Sequence, residues 1–216
     1  MAEIKFCGLT RAEDAAYAGA LGAAYLGVIF AGGPRMLPPA RAASVLDGCL
    51  TAARRVGVFG RVPPAEIAQV AGEARLDVIQ LHGDPAAADV AAVRRETGAE
   101  VWAVARITDT LPPDIDELFA VADAVLIDAR VPGSLGGNGV SVEWDALQKE
   151  LARKRGGGRV VLAGGLAPEN VGRALATLRP DVVDVSSGVE SAPGVKDHAR
   201  MRAFAAAVAG AAQEKR

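Results

Sequence analysis

Cysteine, histidine and lysine are all scarce in this 216-residue chain, and each scarcity removes a class of function. The two cysteines, Cys7 and Cys49, form no C-x-x-C pair and are too few for a disulfide framework at this length, which points to a reducing, cytoplasmic setting. Two histidines, His82 and His198, give little from which to assemble a metal centre, so no metal is expected. None of the five lysines (Lys5, Lys149, Lys154, Lys196, Lys215) falls at the C-terminal end of an expected strand, which disfavours Schiff-base chemistry. A net charge of −2 provides no basic footprint for nucleic acid. The opening Met1-Ala-Glu-Ile-Lys-Phe6 lacks a basic segment followed by an apolar one, so no signal peptide is read. Ala15 to Pro34 carries no charge and is long enough to cross a bilayer. Its many Ala and Gly residues fit a helix that stops at Gly22 and a buried strand over Tyr25 to Phe30 better than a membrane span.

Half of the residues are apolar, and they recur as short β-branched runs, each followed by an Ala-rich helical stretch. Strands are expected at Ile4–Cys7, Tyr25–Phe30, Arg55–Phe59, Val78–Leu81, Val101–Ala105, Ala124–Ile127, Val160–Ala163 and Val182–Val185. The matching helices are Arg11–Leu21, Pro39–Leu50, Pro64–Ala74, Pro85–Glu96, Pro113–Val121, Glu143–Arg155, Pro168–Leu178 and Asp197–Ala212. Pro64, Pro85 and Pro168 are read in first turns, where the ring presets φ at no hydrogen-bond cost. Continuous apolar strands suit a parallel sheet covered on both faces. Eight strand-helix units over residues 1–216, with no linker or change of composition, suggest a single-domain α/β protein, a (β/α)8 TIM barrel. An open doubly wound sheet is the alternative, because a strand count does not show closure.

In such a barrel the reacting groups sit at the C-terminal strand ends and in the loops after them. Cys7 ends the first strand, where it is either an inert small hydrophobe or a reactive thiol. Arg35 follows Gly32-Gly-Pro34, as a solvated loop charge or a bidentate anion ligand. His82 follows strand four and Arg106 strand five. Asp128 follows strand six and fits either a turn cap or a group at the mouth. Gly164-Gly165 and Ser186-Ser187-Gly188 follow strands seven and eight, the usual phosphate seat of this fold, with Asp184 nearby. Glycines there could merely turn the chain, but both loops together, with serine hydroxyls, favour phosphate. The Gly133–Gly139 loop fails the spacing of a dinucleotide fingerprint, so no nicotinamide cofactor is expected.

The motifs Lys5-Phe-Cys-Gly-Leu-Thr10, Gln80-Leu-His-Gly83, Leu126-Ile-Asp128, Leu162-Ala-Gly-Gly-Leu166 and Asp184-Val-Ser-Ser-Gly-Val-Glu190 stand in an order that resembles the phosphoribosylanthranilate isomerase family of tryptophan biosynthesis. Pro34-Arg35, Pro168-Glu-Asn-Val171 and Pro193-Gly194 extend the resemblance, which runs from residue 5 to residue 197. It implies an Amadori rearrangement of a small phosphorylated substrate without cofactor, with Asp128 as general acid and Cys7 as general base. It further implies that Arg35 holds the anthranilate end, with His82 and Asp184 also facing substrate, and that Gly164, Gly165, Ser186, Ser187 and Gly188 hold the phosphate. A base of this kind acts as thiolate, so Cys7 is expected to ionise below the free-thiol value of ~8.5, helped by Arg35. A monomer acting on its substrate with neither nucleic acid nor membrane is expected.

The chain departs from the family pattern at Gly136-Gly-Asn-Gly-Val140, where the family commonly carries Thr and a basic residue, and at Gly33, where it carries Ser. Other phosphosugar barrels fit less well. An indole-glycerol-phosphate synthase needs mouth lysines, and a ribotide isomerase would use paired aspartates. A phosphate-binding barrel without catalysis would have been suggested by loss of Cys7 or Asp128, and both are present.

Overall fold

A computed structural model describes residues 1–107, 110–129 and 144–213. Eight parallel strands close on themselves in sequence order: β1 (Glu3–Phe6), β2 (Tyr25–Ile29), β3 (Arg54–Phe59), β4 (Val78–Leu81), β5 (Glu100–Ile107), β6 (Ala124–Ala129), β7 (Arg159–Ala163) and β8 (Val182–Val185). Closure comes from β1 pairing with β8, with Lys5 opposite Asp184. The open-sheet alternative is therefore excluded. The helices are α1 (Ala12–Ala20), α2 (Pro39–Leu46), α3 (Pro64–Ala74), α4 (Ala87–Thr97), α5 (Ile115–Val121), α6 (Trp144–Lys154), α7 (Val171–Leu178) and α8 (His198–Gln213). Among the described residues no helix is long and apolar enough to cross a membrane.

Alternation along each strand divides the core in two. One cluster lies between strands and helices and holds Phe6, Leu26, Ile79, Ile127 and Phe204. The other fills the barrel with Tyr25, Val56, Val78, Trp102, Leu126, Val161 and Val182. Trp102 is fully buried, meets the Tyr25 ring edge-on at 4.8 Å, and donates its indole N–H to Glu100 at 2.6 Å. Below it, at the N-terminal end, Arg54 pairs with Glu100 and Arg159 with Glu3. Charge closes that end, while the opposite end stays open.

Several boundaries differ from the sequence expectation for local reasons. Pro64 does begin α3, but Pro85 lies two residues ahead of α4, whose start is fixed by Asp89 accepting from the Ala86 N–H at 2.9 Å. Pro168 likewise precedes α7, because the Asn170 side chain accepts from the Ala167 N–H at 2.8 Å and donates to the Gly165 carbonyl at 2.9 Å, holding a turn there. Helix α2 stops at Leu46, and residues 47–50 leave it. Strands β5 and β6 run longer than expected and contain Arg106 and Asp128 near their ends. After β8 comes a 3-10 turn (Ser187–Val189), then a small hairpin of β9 (Glu190–Ala192) and β10 (Val195–Lys196) that the apolar pattern had not announced.

Emptying the barrel centre should cost what a buried aromatic is worth. Trp102→Ala is expected to lower unfolding stability by about 3–5 kcal/mol in urea titration. A loss under about 1 kcal/mol would mean that this centre is not close-packed.

Candidate active site

At the C-terminal end of the strands lies a cavity of about 390 Å³. Cys7, Arg35, His82, Asp128, Gly164, Gly165, Asp184, Ser186 and Ser187 all line it, so nine of the ten residues to which the resemblance gives a role converge on one space, while Arg106 does not line it. The tenth, Gly188, packs behind the rim. An added Cβ there would collide with the Leu166 carbonyl oxygen, so only glycine lets the loop after β8 close against the loop after β7. The Gly133–Gly139 loop lies outside the described residues, as does the side chain of Trp144.

Cys7 is one residue past β1, with its N–H still donating to the Val185 carbonyl at 2.9 Å. Its thiol is buried. Burial pushes its pKa up, the Lys5 ammonium opposes that push, and Asp184 adds to it. The expectation of an acidified thiol is thus not met: desolvation outweighs the cations around it. Lys5 is two residues earlier on the same strand face, fully buried, and ion-paired with Asp184 at 2.7 Å. Burial works against its charge, but Asp184 and Cys7 outweigh it and hold the ammonium above its usual range.

Arg35 lines the cavity, yet Nε and Nη2 donate to the two oxygens of Glu190 at 2.8 and 2.6 Å. Nη1 takes no part in that clasp. Glu190 also accepts from Lys196 at 2.8 Å, and Lys196 donates to the Ser186 carbonyl at 3.1 Å. Burial disfavours the Glu190 carboxylate, but Arg35 and Lys196 prevail and hold it below its usual range. Lys196 moves down, because its burial outweighs Glu190. Glu190 and Lys196 went unnoticed as site residues. Their sequence signal was a place after β8, with Glu190 ending the Asp184–Glu190 motif, whereas the hairpin that folds them under Arg35 is a tertiary feature.

Asp128 stands at the mouth from β6, a third exposed, with Oδ2 4.0 Å from Nε2 of His82. Burial lowers the His82 pKa, so the imidazole is neutral near pH 7 and the contact is not an ion pair. Arg106 donates to the His82 carbonyl and to Asp84, both at 2.9 Å, fastening the β4 loop to β5. On the other side, Gly164 and Gly165 both have positive φ, +98° and +65°, in a turn that presents backbone beside the exposed Ser187. Among the described residues no group of His, Cys, Asp and Glu could hold a metal ion.

A carboxyl from β6, a thiol from the end of β1 and glycine-serine loops between them on one cavity suit proton transfer on a phosphorylated ligand. Known proteins share both the order and the architecture. The family model for N-(5'-phosphoribosyl)anthranilate (PRA) isomerase matches residues 4–207. The N-(5'-phosphoribosyl)anthranilate isomerase of Geobacter sulfurreducens is 41% identical over 205 residues, covering 94% of this chain and 97% of its own. That of Paracoccus denitrificans is 42% identical over 210 residues, covering 94% and 95%. The phosphoribosyl anthranilate isomerase structure from Thermus thermophilus superposes with a TM-score of 0.82 at 39% identity, covering 96% of this chain and 98% of that one. One solved in complex with reduced 1-(o-carboxyphenylamino)-1-deoxyribulose 5-phosphate gives 0.82 at 30% identity, covering 97% and 100%. By family model, sequence and fold alike, this chain belongs to the N-(5'-phosphoribosyl)anthranilate isomerase family.

Proposed function

We infer that this chain catalyses the Amadori rearrangement of N-(5'-phosphoribosyl)anthranilate to 1-(2-carboxyphenylamino)-1-deoxyribulose 5-phosphate in tryptophan biosynthesis. The observation that carries the assignment of roles is the shared cavity, about 390 Å³, with Cys7, Asp128 and the two glycine-serine loops on its wall. That volume suits a ligand of this size.

In the reaction Asp128, as general acid, gives a proton to the ring oxygen. The C1–O bond breaks and the nitrogen lone pair forms the C=N bond of an imine. Cys7, as general base, removes the proton from C2, and those electrons form the C1–C2 double bond while the nitrogen is neutralised. The resulting enolamine then becomes the amino ketone by a proton shift from the C2 hydroxyl to C1. The phosphate sits against Gly164, Gly165, Ser186 and Ser187, with Gly188 holding the two loops together. Arg35 faces the anthranilate carboxylate through its Nη1 side, and neutral His82 stands beside Asp128 as a donor or acceptor toward substrate. Proton transfer alone suffices, so no cofactor enters. Exposed large hydrophobic side chains among the described residues are confined to Met1, Met36 and Leu50, which supports a monomer. Two unpaired, buried cysteines support the cytoplasm.

Cys7→Ser and Asp128→Asn should each lower kcat by at least about 100-fold with little change in phosphate-end binding. Turnover within a fewfold of the parent in either variant, followed by loss of substrate fluorescence, would remove that residue from its role. Gly188→Ala should weaken substrate binding chiefly through KM, since it pushes the two phosphate loops apart, and an unchanged KM would refute that packing argument. In a Cys49→Ser background, iodoacetamide alkylation of Cys7 should rise about tenfold per pH unit from about pH 6 to about pH 8, because only the thiolate reacts and burial raises its pKa. A plateau below about pH 8 would mean an acidified thiol instead.

A further inference from the structure

Beneath the groups assigned to the reaction the cavity has a floor, and the floor carries two polar side chains with an unmet demand. Gln80 lies on β4, two residues before His82 and therefore on the same inward face. It is 2% exposed, and its Oε1 is buried with no hydrogen-bond partner among the described residues. Asp184 lies on β8, four strands away and so across the diameter of the barrel. Its Oδ2 accepts from Lys5 at 2.7 Å, while Oδ1 is buried and equally without a partner among the described residues. Both residues line the cavity, with the apolar Val58 and Leu126 also on its wall.

Buried acceptors left without donors cost stability, and where they persist they wait for a donor from outside. The two ends of the substrate do not supply one. Phosphate and carboxylate are anions near pH 7 and carry no hydrogen to donate, so neither satisfies a buried amide or carboxylate oxygen. The middle of the substrate does, through the secondary hydroxyls of its sugar. We infer that Gln80 is a specificity-determining residue that accepts a hydrogen bond from a sugar hydroxyl, with the free oxygen of Asp184 accepting from another. This inference rests on the isomerase reading above and deepens it. The acceptors set the height of the sugar under the thiol and the carboxyl. A ligand lacking the matching hydroxyl leaves an acceptor buried and unpaired, so the site rejects deoxy analogues.

Stable probes test this on the whole chain. Reductive amination of ribose 5-phosphate with anthranilate gives a non-reacting amine with every hydroxyl present. The 2-deoxy and 3-deoxy sugars give its two deletion partners. By titration calorimetry, the parent protein should bind the complete probe about tenfold or more tightly than at least one deoxy probe. Gln80→Met, which removes the acceptor at similar volume, should bind that pair within about twofold of each other. Should the Met variant lack a cooperative thermal melt, Gln80→Leu replaces it, and the comparison of probes on the parent protein decides by itself. Equal binding of all three probes by the parent protein overturns the inference, as does full retention of the preference in a folded Gln80 variant. Normal turnover of phosphoribosylanthranilate alongside equal probe binding sinks only this inference. No turnover and no binding of the complete probe would sink the functional reading and this inference with it.

Discussion

A single ion pair, Lys5 with Asp184, lies where the barrel closes and where the chemistry begins. It joins β1 to β8, the seam that turns a sheet into a cylinder, and both side chains point into the interior. A charged pair so deep is retained at considerable desolvation cost, and removing one partner of such a pair is severe because the other stays buried alone. Here the pair also sets the surroundings of Cys7. The ammonium favours the thiolate and the carboxylate disfavours it, with burial on the side of the neutral thiol. The thiol is thus held toward its neutral form, and no cation near it acts alone.

Much of this was readable beforehand, for definite reasons. The strands β4 and β8 and the helix α3 have the bounds that hydrophobic runs and Gly or Pro boundaries dictate. Gly22 ends α1 with positive φ, as a helix-stopping glycine does. The rule that function gathers at the C-terminal strand ends then brought nine of the ten residues with an expected role to one cavity, though not Arg106.

What stayed hidden was mostly tertiary: distant partners and burial. Lys5 was discounted because it stands early in its strand, but an inward-facing lysine below the mouth reaches the thiol from underneath. By sequence Arg35 fits a solvated loop charge or a bidentate anion ligand, and half its fork belongs to Glu190, 155 positions away. The Cys7 pKa was expected to fall because nearby cations were considered without the burial that accompanies them. Pro85 and Pro168 read as first-turn prolines, and side chains from Asp89 and Asn170 set the helix starts further on. Lys5 and Arg35 are held by partners far away in sequence and Cys7 by its burial, whereas the starts of α4 and α7 turn on side chains only three residues off.

The charged plug at the other end of the cylinder has a separate consequence. Glu3, Arg54, Glu100 and Arg159 knit the N-terminal rim together, and Trp102 and Tyr25 stand between that rim and the cavity. Coherence of the scaffold is therefore anchored at the pole remote from the ligand. Loops at the catalytic pole can exchange residues, lengthen or acquire a new grip without unfastening the cylinder. An ancestor with this division could diversify its chemistry one loop at a time while inheriting its stability unchanged.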